Sequence, residues 1–201
     1  MATLTEELAS NLQGPAASEF AQRLGISQEQ SSAAIAAALP LLMGALGRNA
    51  SEPQGAQALF GALRKDHAGR DLAGVLGSVL GGGGDADGGA ILGHILGSRQ
   101  PRAEAGIAQA TGLGEGQAGQ LLKMLAPIVM AWLAQRALGR EGSGDAAGAS
   151  ALGGLLGEEQ QQIRRQGGLG GGLLGAVLDQ DGDGEFGLGD LVQLGGLFGR
   201  R

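Results

Sequence analysis

"FAQRLGISQEQSSAAIAAALPLLMGALGRNA", residues 20–50, aligns without a gap to "IAQATGLGEGQAGQLLKMLAPIVMAWLAQRA", residues 107–137, at an offset of 87. Eight positions are identical, among them Gly25 with Gly112, Gln30 with Gln117, Pro40 with Pro127 and Met43 with Met130. Most of the others exchange one small or apolar residue for another. The pattern reads as a duplicated unit. In each copy a short helix should end at the glycine, where a left-handed residue is needed. In the first copy Ser27 can cap the next helix, with Gln30 in the capping-box position. The long helix that follows, about twenty residues of apolar pattern, carries a proline near its middle. That proline removes one backbone donor and predicts a kink. Two such helices are expected to pack as a pseudo-symmetric pair.

Composition supports this reading. Of 201 residues 42 are glycine, roughly three times the usual share, while tyrosine is absent and only four phenylalanines and one tryptophan occur. With so few β-branched and aromatic residues, strands are disfavoured and a core of Leu, Ala, Ile and Val on short helices is expected. The expected class is all-α: a helical bundle built from the duplicated kinked-helix unit, followed by a C-terminal helix–loop–helix. Residues 1–140 form the helical domain, 141–150 ("EGSGDAAGAS") read as a linker, and 151–201 as a Leu/Gly-rich tail. Between the copies, Ser51 and Pro53 mark a helix start. Two short helices are expected around 71–80 and 89–97, joined by a glycine run.

Charge and targeting signals narrow the function classes. The net charge is −6, with 14 basic and 20 acidic residues, unlike the basic footprint of a nucleic-acid binder. The basic residues on the repeated helices are Arg48 in the first copy and Lys123, Arg136 and Arg140 at the second. There is no cysteine, which excludes disulfides, thiol catalysis and zinc–thiolate sites and fits a reducing compartment. The start, "MATLTEELASNLQG", lacks the basic and apolar regions of a signal peptide. The uncharged stretch 31–47 is shorter than the roughly 20 residues a membrane span needs, so a buried helix is expected there. The expected location is the cytoplasm.

Near the C-terminus, "LDQDGDGEFGLGDL" (178–191) carries the main chemical signal. With Asp179 at position 1 of a calcium loop, Asp181 and Asp183 fall at positions 3 and 5. Gly184 then falls at the sharp turn, the Glu185 carbonyl at position 7 and Asp190 at position 12. Alternate oxygens pointing inward, a turning glycine and a closing carboxylate are what calcium requires. Phe186 stands where such loops pack an apolar residue. Position 12 is Asp in place of the bidentate Glu of EF-hands, so the loop is closer to the dockerin type. A dockerin has two such loops and this chain has one, so no dockerin partner is implied. Of the affinities such loops span, roughly 10⁻⁷ to 10⁻³ M, the shorter Asp points to the weaker half, with Mg²⁺ as the alternative ion. "RKDHAGRD" (64–71) echoes the loop but places Arg64 and Ala68 at acidic positions, and "DADGG" (85–89) reads as a helix start. His67 and His94 have no partner at metal or catalytic spacing, and no serine lies in a nucleophile elbow. An enzyme is not expected.

The stretches "ALPLLMGALGRNA…GAQALFGAL", "GGAILGHILG" and "GQAGQLLKMLAPIVMAWL" together resemble a bacterial family, domain-of-unknown-function family nine-three-seven, allied to the YidB-like group. The resemblance covers about residues 1–140 and implies a small helical fold and a bacterial source, without an activity or site residues. "GLLGAVLDQDGDGEFGLGDLVQLGGLFGRR" is similar to the tail that often follows this domain, and "RKDHAGRD" departs from relatives richer in Asp. The expected function is a non-catalytic binding or scaffolding protein with calcium in its C-terminal loop and an unidentified protein partner. The alternatives are a helix-turn-helix-like nucleic-acid protein and a membrane-associated self-assembling one. Exposed Leu faces of the tail point to homo-oligomers.

Overall fold

The computed structural model describes residues 3–66, 71–81, 85–138 and 145–166. Among them the chain forms nine α-helices and one short 3-10 turn, and no strand. The helices are α1 (Leu4–Asn11), α2 (Pro15–Leu24), α3 (Gln28–Asn49), α4 (Pro53–Asp66), α5 (Leu72–Leu80), α6 (Asp85–Leu96), α7 (Gln100–Thr111), α8 (Glu115–Leu138) and α9 (Asp145–Gln166). The all-α bundle is the expected class. The C-terminal helix–loop–helix and the first part of the linker lie outside the described residues.

At the centre α3 packs on α8, and the other helices surround the pair. Both long helices are apolar on nearly every side through their second halves. From Leu41 to Gly47 every residue of α3 is buried, and from Met124 to Ala134 every residue of α8 is buried. A helix that is apolar all round has to be enclosed. Each is long and apolar enough to cross a membrane, at 22 and 24 residues with a mean hydropathy of 1.4, and 72% of each such window is buried inside the protein. α3 is longer than the uncharged stretch 31–47 read from the sequence, because it continues into Glu29 and Arg48 at its ends.

Helix ends follow local chemistry. Gly25 (φ 65°) and Gly112 (φ 72°) are left-handed and close α2 and α7. After Gly25, the Ile26 N–H returns to the Ala21 carbonyl at 3.0 Å; after α7 the Gly112 N–H itself reaches the Ala108 carbonyl at 2.9 Å. Ser27 and Gln30 form a reciprocal capping box at the start of α3. At the matching position Gly114 has no side chain to offer. There Gln117 accepts from the Gly114 N–H at 3.0 Å and donates at 3.0 Å to the Leu24 carbonyl, joining α8 to the end of α2.

Three expectations need correction. Ser51 does not cap α4; its hydroxyl donates to the Arg48 carbonyl at 2.7 Å and serves the end of α3. The second short helix begins at Asp85, as "DADGG" (85–89) reads, so the range 89–97 was too short by four residues, and the glycines at 88 and 89 are carried inside α6. From Asp145 the expected linker is already α9, whose Ala149, Leu152 and Leu156 are buried in the same core as α3 and α8. Small residues that read as a spacer by composition are here the contact face of a helix.

The helices run on through both prolines. Pro127 has no N–H to give the Lys123 carbonyl one turn earlier. Helix α6 crosses at this point: a Cβ on Gly88 would stand 2.2 Å from the Lys123 carbonyl oxygen and 3.0 Å from its carbon. Only glycine permits that approach of backbone to backbone. Gly88→Ala is expected to destabilise the protein by about 1–3 kcal/mol through overpacking. Gly89→Ala, where nothing lies within 4 Å, should leave stability unchanged or raise it by up to about 1 kcal/mol. Urea unfolding of the two variants side by side measures the contrast.

Candidate functional site

The residues with the strongest chemical pattern in the sequence, Asp179, Asp181, Asp183, Glu185 and Asp190, lie outside the described residues, as do His67 and Arg140. Among the described residues no group of three or more His, Asp or Glu could hold a metal ion. His94 is exposed near the end of α6. Asp71 caps α5, accepting from the Gly74 N–H at 3.2 Å. Of the basic residues on the long helices, Lys123 is exposed, while Arg136 pairs with Glu7 and lies 5.6 Å over the Trp132 ring.

The described residues that do converge meet at one corner, where the start of α1, the end of α8 and the middle of α9 come together. A cavity of about 330 Å³ opens there, lined by Leu4, Leu133, Arg136, Ala137, Leu152 and Leu155. Beside it Glu159 of α9 is 97% buried, with 3% of its surface exposed. Its carboxylate accepts from the Leu4 N–H and the Thr5 N–H, each at 2.9 Å, and from the Thr5 hydroxyl. Helix α1 thus has a double cap. Thr3 and Glu6 form its own capping box, and the next two free N–H groups are taken by a carboxylate more than 150 residues away. A negative group at this end also meets the positive pole of the helix.

Burying a carboxylate is costly unless each oxygen is hydrogen-bonded. Three donors from one helix turn meet that condition here. Glu159 is therefore a tie between α9 and α1. The cavity adjoining it offers apolar Leu and Ala surface with the Arg136–Glu7 ion pair at its rim, which suits contact with an apolar group.

Sequence reasoning missed this corner. "LLGEEQQQ" (155–162) shows two adjacent glutamates, and the docking of α9 buries Glu159 while leaving Glu158 exposed. The available signal was the helical spacing of Leu152, Leu156, Glu159 and Ile163, which puts the glutamate on the apolar face.

A family model described as "Bacterial protein of unknown function (DUF937)" matches residues 6–136. No curated protein and no solved structure matches the chain.

Glu159→Ala strands two N–H groups and a hydroxyl and is expected to cost about 2–3 kcal/mol. Glu159→Gln keeps an acceptor and should lose a smaller share. Urea unfolding gives the ranking, and amide exchange at Leu4 and Thr5 should quicken in the alanine variant before that of the α3 core does.

Proposed function

The chain belongs to this bacterial family, and on that premise we propose a non-catalytic binding or scaffolding protein whose C-terminal loop takes calcium. Kinship with the YidB-like group is part of the same reading. The observation that carries the calcium assignment is the register of 179–190: Asp179, Asp181 and Asp183 alternate, Gly184 makes the turn, the Glu185 carbonyl follows, and Asp190 closes. Apolar segments flank the loop on both sides, "GLLGAVL" before and "LVQLGGLF" after, as an ion-ordered helix pair requires.

The scaffolding part is supported by how the described residues are spent. The apolar length of α3 and α8 goes into mutual packing, and the buried polar groups Ser31 and Glu159 both tie one helix to another. Such a body presents surfaces at fixed spacing. The cytoplasm is the proposed location and protein the proposed partner class. Where free calcium is scarce, as in a cytoplasm, a weak loop closed by Asp would stay empty or take Mg²⁺.

Calorimetric titration of the full chain with calcium should show one site in the micromolar to millimolar range, with Asp179→Ala abolishing the heat. Two-dimensional NMR should show shifts confined to the last forty or so residues. No change at millimolar calcium would remove the ion from this reading.

A further inference from the structure

Three helices wall the corner cavity, and two polar ties fix their spacing. Glu159 holds the start of α1 to α9, and the Arg136–Glu7 pair holds α1 to the end of α8. Closing the cavity would break one of these ties, so it is preformed, as small-molecule sites usually are. Its floor is Leu133 and Leu152, both buried, and its walls are the half-buried Leu4, Ala137 and Leu155. At 330 Å³, with a water's share of roughly 30 Å³ for each site, it has room for about eleven non-hydrogen atoms. One short alkyl chain fills that space, and moving it from water onto leucine surface is favourable.

The rim decides the head group. Arg136 stands 5.6 Å over the Trp132 ring and pairs through Nη2 with Glu7. Its charge is balanced there, so an arriving carboxylate gains little attraction and meets Glu7 as a like charge. A guanidinium carries several N–H donors and a carboxylate several acceptor positions. The pair therefore has one further hydrogen bond to give and one to take. A primary amide answers both: its oxygen accepts from Arg136 and its N–H donates to Glu7. We propose that this corner binds a neutral medium-chain acyl amide, its chain on the Leu133–Leu152 floor and its amide across the Arg136–Glu7 pair. This gives the binding reading a ligand class, yet it rests on the corner alone and not on the calcium loop.

Trp132 is the only tryptophan in a chain without tyrosine, and it adjoins the cavity through Leu133 and Arg136, so its fluorescence reports occupancy. Octanamide, with about ten non-hydrogen atoms, titrated into the full chain in EDTA should give a saturable change with a Kd on the order of 10⁻⁴ M. Hexanamide should bind roughly fifteenfold more weakly, at about fourfold per methylene. Octanoate should bind more weakly than octanamide by about tenfold or more. Methyl NMR of the same sample should place the shifts at Leu4, Leu133, Leu152 and Leu155. Ala137→Phe fills the space and should abolish binding, with a urea midpoint unchanged or raised. Arg136→Met, at an exposed position, removes the donor and should weaken octanamide about tenfold. Phosphatidylcholine vesicles should leave the fluorescence unchanged, since the cavity takes one short soluble chain. The proposal fails if octanamide gives no saturable change up to its solubility limit, or if the shifts lie away from this corner. It fails equally if octanoate binds as well as the amide, or if vesicles give the response. Because EDTA removes calcium, this titration and the calcium titration succeed or fail independently.

Discussion

Two helices that are apolar on nearly every side cannot stand in water, and that constraint organises the rest of the molecule. α3 and α8 cover one face of each other, and the other seven helices of the described residues enclose what remains. The short helices need few aromatic anchors of their own because the long pair supplies most of the core. Phe20 and Phe60 are buried against that core, and Trp132 belongs to it. Alanine and glycine then make physical sense as the dominant residues. They let helix backbones approach closely, and the density of contact makes up for the lack of large side chains.

Polar side chains act as ties between helices. The Ser31 hydroxyl donates to the Ala17 carbonyl at 2.8 Å, Asn49 donates to the Ile95 carbonyl at 3.0 Å, and Gln117 donates to that of Leu24. Each gives a helix-end or helix-interior carbonyl a donor from a neighbouring helix. Glu159 works in the opposite sense, as an acceptor for a helix start. These bonds set which helix end meets which, a choice that a core of interchangeable Leu and Ala side chains leaves open.

The fold class was legible because its signals are local. Glycine after a short periodic segment, Ser27 three before Gln30, and proline inside an apolar run each declare helix geometry from neighbouring residues. Misreadings arose where a residue had two possible partners or its partner lies far along the chain. Ser51 resembled a cap for the helix after it, yet its hydroxyl donates to the Arg48 carbonyl behind it. "DAAGAS" (145–150), the latter part of the expected linker, resembled a spacer because it lacks large side chains, and smallness at Gly148 is what lets α9 lie against Phe60.

The sequence by itself determined the all-helical class, the matched pair of glycine-closed and proline-bearing segments, and the register of acidic residues at 179–190. These depend on spacing along one stretch of chain, and hydrogen-bond and side-chain periodicity converts spacing into geometry. Only the tertiary structure decided that α9 belongs to the core, that Gly88 must stay a glycine, and that Glu159, rather than its neighbour Glu158, holds the start of α1. Those outcomes depend on backbone atoms brought together from opposite ends of the chain, and no pattern within either partner encodes the distance between them.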